Sequence, residues 1–115
     1  MTQPTIDAAT FDELETTAGA DFVRELVATF VSDAPDMLKG LRQAFEDGDA
    51  ARFRRVAHTL KSNSNTFGAT TLAALARNLE LGGLGPVRDA SGAALDQLDA
   101  EYARVAQALL ELTRA

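Results

Sequence analysis

Residues 53–68 read FRRVAHTLKSNSNTFG, and this run has the periodicity of an amphipathic helix with one histidine on its polar side. At about 100° per residue, five apolar residues and a serine fall on one face. These are Phe53, Val56, Ala57, Leu60, Ser64 and Phe67. His58, the only histidine of the chain, points the other way, toward water. The residues that share its outer face are Arg54, Arg55, Lys61, Ser62 and Asn65.

The chain before this run also has helical periodicity. Apolar positions keep one phase across residues 21–48, which predicts a single long helix. Pro35 lacks a backbone N–H and is expected to bend this helix without ending it, because the phase is unbroken across the proline. Earlier still, Thr10 and Glu13 have the spacing of a capping box. They predict a short first helix that stops near Gly19.

The helix that carries His58 is expected to span residues 49–65 and to end at Gly68. Thr70 or Thr71 is then expected to cap a fourth helix, which stops at the two glycines 82–83. The tight reversal between these two helices predicts an antiparallel pair.

The last predicted helix has apolar residues at three- and four-residue spacing across residues 95–112. Its start is open, because Gly85-Pro86 is either a turn or the first helical turn. Four amphipathic helices with short connections pack most simply as an antiparallel up-and-down four-helix bundle. The fold class predicted is therefore all-α, with the short N-terminal helix lying across one end of the bundle.

Length and composition limit the possible functions. The 115 residues fit a single domain spanning residues 1–115, of which residues 1–9 are expected to be a flexible segment. A net charge of −6 argues against nucleic-acid binding and favours a protein partner. The chain has no cysteine, and a lone histidine makes a metal site improbable. With no signal peptide and no long apolar run, we expect a cytoplasmic monomer without membrane insertion.

The charge around His58 differs from that of the whole chain. Between Ala50 and Leu79 there is no acidic residue. The same segment holds five basic residues: Arg52, Arg54, Arg55, Lys61 and Arg77. A neutral imidazole nitrogen can attack phosphorus and form a reversible N–P bond. The ammonium of Lys61, one turn after His58, can offset charge on such a phosphoryl group. Arg54 and Arg55 are either docking contacts or a solvated face.

Two residues near His58 have two interpretations each. Gly68 is a helix terminator, which needs no further function, or it has a role in docking. Glu80 is expected at the level of His58 in an antiparallel hairpin, where it could orient the ring through Nδ1. A carboxylate that is simply solvated is the more common case, and we favour it for Glu80.

Residues 57–69, AHTLKSNSNTFGA, resemble the A-H-x-L-K-G-x-x-x-x-x-G-A signature of histidine-containing phosphotransfer (HPt) domains. The resemblance extends over about residues 11–112, and Leu79-Glu80 is similar to the L-E that follows the signature. One departure is Ser62, which replaces the common glycine after the lysine. Serine suits a helix as well as glycine or better, and its hydroxyl can help to hold phosphate.

The resemblance implies an α-helical bundle and a role in a two-component phosphorelay. His58 would accept a phosphoryl group from an aspartate of a receiver domain and pass it to another receiver. Lys61 would lie beside the phosphate, and Gly68 would be the small residue that lets the receiver approach. In the chemotaxis-kinase branch of the family, the glutamate at the position of Glu80 contacts the histidine.

The implied partners are response-regulator receiver domains and a hybrid sensor histidine kinase. No glycine-rich phosphate loop is present, so we expect a phosphocarrier without an ATP site of its own. We expect no bound cofactor, because the Mg²⁺ of the exchange would belong to carboxylates of the receiver. The alternative is a helical adaptor that binds receivers or kinases without phosphorylation. A hydrolase with His58 as general base lacks a recognisable nucleophile and oxyanion hole.

Overall fold

The computed structural model describes residues 5–85 and 92–114, and within these ranges it contains five helices and no strands. In chain order they are α1 (Ala8–Ala18), α2 (Ala20–Asp47), α3 (Ala50–Thr66), α4 (Thr70–Gly82) and α5 (Ala93–Leu112). The prediction of an all-α chain is thereby confirmed. None of these helices has the combination of length and hydropathy that a membrane-spanning segment needs.

Helix α1 begins earlier than the sequence predicted, and a different residue caps it. The carboxylate of Asp7, not the hydroxyl of Thr10, accepts the hydrogen bond from the first turn, at the backbone N–H of Thr10. The capping-box prediction was wrong because Asp7, an equally good N-cap residue, lies three positions upstream. Ile6 is buried in the core, so the expectation of a flexible segment fails for residues 6–9. Residues 1–4 lie outside the described part of the chain.

Helix α2 runs through Pro35 without interruption, as predicted. Pro35 has no N–H to donate to the carbonyl of Val31, four residues earlier. The hydroxyl of Tyr102 on α5 donates a hydrogen bond to that carbonyl at 3.1 Å. Partial burial raises the pKa of this phenol above its ordinary value, so the donor proton is retained. A side chain of the last helix thus replaces the missing backbone donor.

The junctions between helices are largely as the sequence predicted. Gly48 ends α2 with a φ of +70°, and the carboxylate of Asp49 accepts from the N–H of Arg52 to begin α3. Helix α4 differs, because Ala69 is its N-cap residue and neither Thr70 nor Thr71 caps it. The open question of Gly85-Pro86 concerns a connection whose residues 86–91 lie outside the described ranges.

The core consists largely of the apolar faces predicted from periodicity, but Phe22 of α2 and Leu112 of α5, which were expected on those faces, are exposed. On α3, Phe53, Ala57 and Leu60 are completely buried, and they pack with apolar residues of the other helices. Helices α3 and α4 form the closest pair, α2 packs on α3 and α5, and α4 packs on α5. On the outside, the guanidinium of Arg42 on α2 binds two carboxylates of α5, those of Asp96 and Asp99. The two carboxylates raise the pKa of Arg42 and tie α2 to α5.

Candidate functional site

The imidazole of His58 stands in solvent on the outer face of α3. Its side chain is 60% exposed, whereas Ala57 and Leu60 beside it are fully buried. Amphipathic periodicity explains this contrast, because the buried residues recur on the one face that meets the neighbouring helices. The exposure predicted for His58 is confirmed.

Glu80 on α4 lies directly against the imidazole. Its Oε2 is 2.6 Å from Nδ1 of His58, and 22 residues of sequence separate the two side chains. The preference for a solvated Glu80 was therefore wrong. The antiparallel register of α3 and α4 places the two residues at one level, and only 21% of the Glu80 side chain is exposed. A largely enclosed carboxylate is stabilised by a hydrogen bond from a nearby donor, here Nδ1 of His58.

The second oxygen of Glu80 binds the next functional residue. The ammonium of Lys61 donates to Oε1 at 2.7 Å, so one carboxylate joins the histidine and the lysine. The hydrogen bond from Lys61 is the main cause that lowers the pKa of Glu80, and the interaction with His58 adds to it against the opposing effect of desolvation. Glu80 is consequently ionised throughout the neutral range.

The contact with Glu80 fixes the chemistry of the ring. An ionised carboxylate can only accept hydrogen bonds, so Nδ1 must carry a proton. In the neutral ring, Nε2 then holds the free lone pair. The two ring nitrogens project in different directions, and with Nδ1 turned toward α4 the nucleophilic Nε2 faces the solvent. This arrangement suits attack on a group that another molecule presents.

The site thus consists of a solvent-exposed histidine, a carboxylate that holds it and a lysine one turn away, on an all-helical chain. Comparison with known proteins gives the family of this chain. Residues 25–108 match the family model of the Hpt domain. The chain belongs to the Hpt domain family. A solved structure, histidine-containing phosphotransfer protein B (HptB) from Pseudomonas aeruginosa PAO1, is similar to it with a TM-score of 0.87 and 28% sequence identity. That match covers 98% of this chain and 97% of the HptB chain. A comparison with curated protein sequences found no significant match.

Membership of the family establishes the general role of the chain. Hpt domains are phosphocarriers in phosphorelays, and their partners are proteins such as receiver domains and kinases. This chain is accordingly a histidine phosphotransfer protein of a phosphorelay. Among the residues that the structure describes, no cluster of three or more His, Asp or Glu side chains could hold a metal ion.

Four of the other predicted site residues of the Hpt domain are exposed on α3 around His58. Arg55, Ser62 and Asn65 are exposed on the same outer face of α3. Arg54 is also exposed, but its guanidinium lies against the end of α4, where a methyl group on Gly83 would come within 3.2 Å of Nη2. Arg54 is therefore partly committed to packing between α3 and α4.

Gly68 lies apart from the exposed face of α3 around His58. It is buried under the start of α1, where its carbonyl accepts a 2.8 Å hydrogen bond from the N–H of Asp7. Its φ is +78°, and a methyl group there would come within 3.0 Å of the carbonyl oxygen of Asp7 and of Cβ of Thr10. The expectation that Gly68 lets a receiver approach was wrong. Gly68 ends α3, and its small size also lets α1 pack on the α3–α4 turn.

Sequence reasoning missed the link between Glu80 and Lys61. The signal was present, because residues at equal distances on either side of the reversal near Phe67 share one level in an antiparallel hairpin. That argument placed Glu80 near His58. The same count places Glu80 within reach of Lys61, whose long side chain lies one turn after His58 on α3. It also places Arg77 beside Lys61, in a groove between α3 and α4.

Proposed function

We propose that His58 is the phosphorylation site of this Hpt domain and that it exchanges phosphoryl groups with receiver-domain aspartates. The observation that carries the proposal is the exposed ring whose Nδ1 is held by Glu80, because it leaves Nε2 free and unobstructed. The family role supports the assignment, since the chain has one histidine.

The transfer can be written with its bonds and charges in balance. The lone pair of Nε2 attacks the phosphorus of a phosphoaspartate on the docked receiver. The N–P bond forms as the P–O bond to the aspartate breaks, and the aspartate leaves as a carboxylate. The ring then carries a proton on Nδ1 and phosphorus on Nε2, so it is cationic. The carboxylate of Glu80 stabilises that charge. A carboxylate oxygen of a second receiver's aspartate then attacks the phosphorus, and a new P–O bond forms as the N–P bond breaks and Nε2 regains its lone pair.

Lys61 has a supporting electrostatic role in this scheme. Its ammonium is one turn from His58 and is held in place by Glu80. Such a charge partly offsets the negative phosphoryl oxygens, and the effect grows when a docked receiver excludes water. Arg55, Ser62 and Asn65 surround the ring and would form the first docking contacts, with Arg54 at their edge.

We also propose that α2, α3, α4 and α5 form an antiparallel up-and-down four-helix bundle within one monomeric domain. The packing of each helix on the next, and of α2 on α5, supports this arrangement. The chain would take its phosphoryl group from partner proteins, including a hybrid sensor kinase, and not from ATP. The expected location is the cytoplasm, where receivers and kinase domains meet.

Phosphoryl transfer from an isolated receiver domain tests the proposal. A receiver labelled with radioactive phosphate is mixed with the chain, and the label on the chain is examined for its stability. Phosphohistidine is acid-labile and alkali-stable, so this pattern is expected for the wild type and no label for His58→Gln. Circular dichroism of the variant should match that of the wild type, since residue 58 is exposed.

Two further outcomes separate the alternatives. A wild-type chain that binds receivers but never carries label would be an adaptor, and the proposal would fail. Lys61→Ala should still be labelled at His58, at a rate about three- to tenfold lower, with unchanged helicity. A loss of helicity instead would show that Lys61 serves the fold and not the phosphoryl group.

A further inference from the structure

A groove with two cationic side chains lies next to the His58 cluster, between α3 and α4. Its volume is about 270 Å³, and it opens to solvent. The residues that line it are Lys61, Asn65, Thr70, Ala73, Ala74 and Arg77. Two are basic, two have polar uncharged side chains, and two alanines leave space between the helices. No carboxylate belongs to the lining, although the chain as a whole has a net charge of −6.

Of the two basic residues that line the groove, Arg77 is the one without a charged partner within the described ranges. Lys61 is paired with Glu80, and the guanidinium of Arg54 packs at the end of α4. Within the described ranges, Arg77 makes no ion pair and no side-chain hydrogen bond, and it is exposed. No contact within residues 5–85 and 92–114 therefore neutralises its charge, and the guanidinium is exposed to a partner.

The position of the groove decides which anion it can take. The α3 residues that line the groove, Lys61 and Asn65, lie about one and two turns beyond His58, so most of the groove lies beyond a phosphoryl group on Nε2. Arg77 lies one turn before Glu80 on α4, and Asn65 lies one turn after Lys61 on α3. The groove is thus offset along the helices from the transferred group, yet it shares Lys61 with the site. An anion there would belong to the docked protein and not to the phosphoryl group.

We propose that this groove binds a carboxylate side chain of the docked receiver domain, and that Arg77 determines in part which receivers exchange phosphoryl groups with this Hpt domain. The inference rests on the proposed function. That carboxylate lies outside the set with which a receiver holds Mg²⁺, because the groove is offset from the transferred group, and the two cations of the lining complement its charge. A guanidinium with free donors pairs with a carboxylate in a defined geometry, so it contributes to partner choice more than a diffuse charge does.

Rates of transfer from a panel of isolated receiver domains, phosphorylated with acetyl phosphate, test this role. With the fastest receiver of the panel, Arg77→Ala should lower kcat/KM about three- to tenfold, and Arg77→Glu about tenfold or more. The kcat at saturating receiver should stay within about twofold, because Arg77 does not touch the reacting atoms. Arg77→Lys should lower kcat/KM less than Arg77→Ala does, without reaching the wild-type value. The difference from wild type should shrink between about 0.05 and 0.5 M salt.

Arg24→Ala is the matched control for the loss of one positive charge. Arg24 is exposed and forms only a surface pair with Asp21. Phe30 on α2 contacts Phe67 on α3, so the level of His58 lies near residue 39 of α2. Arg24 is then about 20 Å away along α2, at about 1.5 Å per residue. Its removal should leave kcat/KM within about twofold of wild type.

Binding without transfer gives a second measurement. Addition of the unphosphorylated receiver should shift the backbone amide resonances of Asn65, Thr70 and Arg77, and Arg77→Glu should abolish those shifts. A Lys substitution at one acidic surface residue of the receiver should restore transfer to Arg77→Glu.

The proposal is overturned if Arg77→Glu behaves like Arg24→Ala, or if it lowers kcat and not kcat/KM. A failure of the proposed function would look different, since the wild type itself would then carry no label on His58.

Discussion

Glu80 on α4 holds both His58 and Lys61 of α3, with its Oε2 2.6 Å from the ring nitrogen Nδ1 and its Oε1 2.7 Å from Nζ. A single carboxylate therefore sets the tautomer of the histidine and the position of the lysine. Carboxylates that orient a functional imidazole act in this way in other sites, through the nitrogen that does not react.

Replacement of Glu80 by glutamine should slow phosphoryl transfer by about tenfold. The amide is neutral and can donate as well as accept, so it no longer requires a proton on Nδ1 and no longer stabilises the cationic phosphorylated ring. The ¹⁵N chemical shifts of the ring should show a mixed tautomer in Glu80→Gln and one tautomer in the wild type. Unchanged shifts and an unchanged rate would mean that Glu80 does not position His58.

The same carboxylate should make stability depend on pH in the acid range. The pKa of Glu80 is held below its ordinary value of 4.5 in the folded chain, mainly by the hydrogen bond from Lys61. The unfolded chain binds the proton more readily, so the stabilisation is present above pH 4.5 and is lost as the pH falls through the folded pKa. Urea unfolding of the wild type and of Glu80→Gln between about pH 5.5 and 3 measures the contribution of the ionised Glu80 to the free energy of unfolding. Their difference in unfolding free energy should shrink toward acid pH, and a constant difference would contradict the assignment.

Gly68→Ala should destabilise the fold by about 1 to 3 kcal/mol. The alanine would have to adopt a positive φ and would press against the carbonyl of Asp7 at 3.0 Å. Gly92→Ala is the control, since Gly92 also has a positive φ, of +80°, but faces open space. Denaturant unfolding should show a cost of about 1 to 2 kcal/mol for Gly92→Ala, from the left-handed backbone alone, and a larger cost for Gly68→Ala. Equal costs would mean that α1 can shift to make room.

Tyr102→Phe should cost about 1 kcal/mol of unfolding free energy, because the carbonyl of Val31 loses its donor. The phenylalanine ring keeps the edge contact with Phe30, so packing changes little. Pro35→Ala restores a backbone N–H at residue 35, which can donate to the carbonyl of Val31. In a double-mutant cycle, the cost of Tyr102→Phe should therefore be smaller in the Pro35→Ala background. The same cost in both backgrounds would show that the two sites are not coupled.

The helices and the exposure of His58 could be predicted because they depend on local pattern. A run of apolar residues at three- and four-residue spacing buries one face whatever the partner is, and the opposite face must meet water. The same locality explains the boundary at Gly48 and Asp49. It also explains the error at Asp7, since neighbouring Asp and Thr residues can cap a helix almost equally well, whereas at Ala69 the helix begins without a side-chain cap.

By itself, the sequence determined an all-helical chain with an exposed histidine on a basic face, and its signature pointed to the Hpt family. Tertiary structure alone decided that Glu80 binds His58 and Lys61, that Gly68 is buried under α1, and that Tyr102 serves the carbonyl left free by Pro35. Each of these contacts joins residues that are far apart in the sequence and belong to different parts of the fold. Helical periodicity gives the level and the face of a side chain, but the choice between solvent and a neighbour depends on how closely the helices pack.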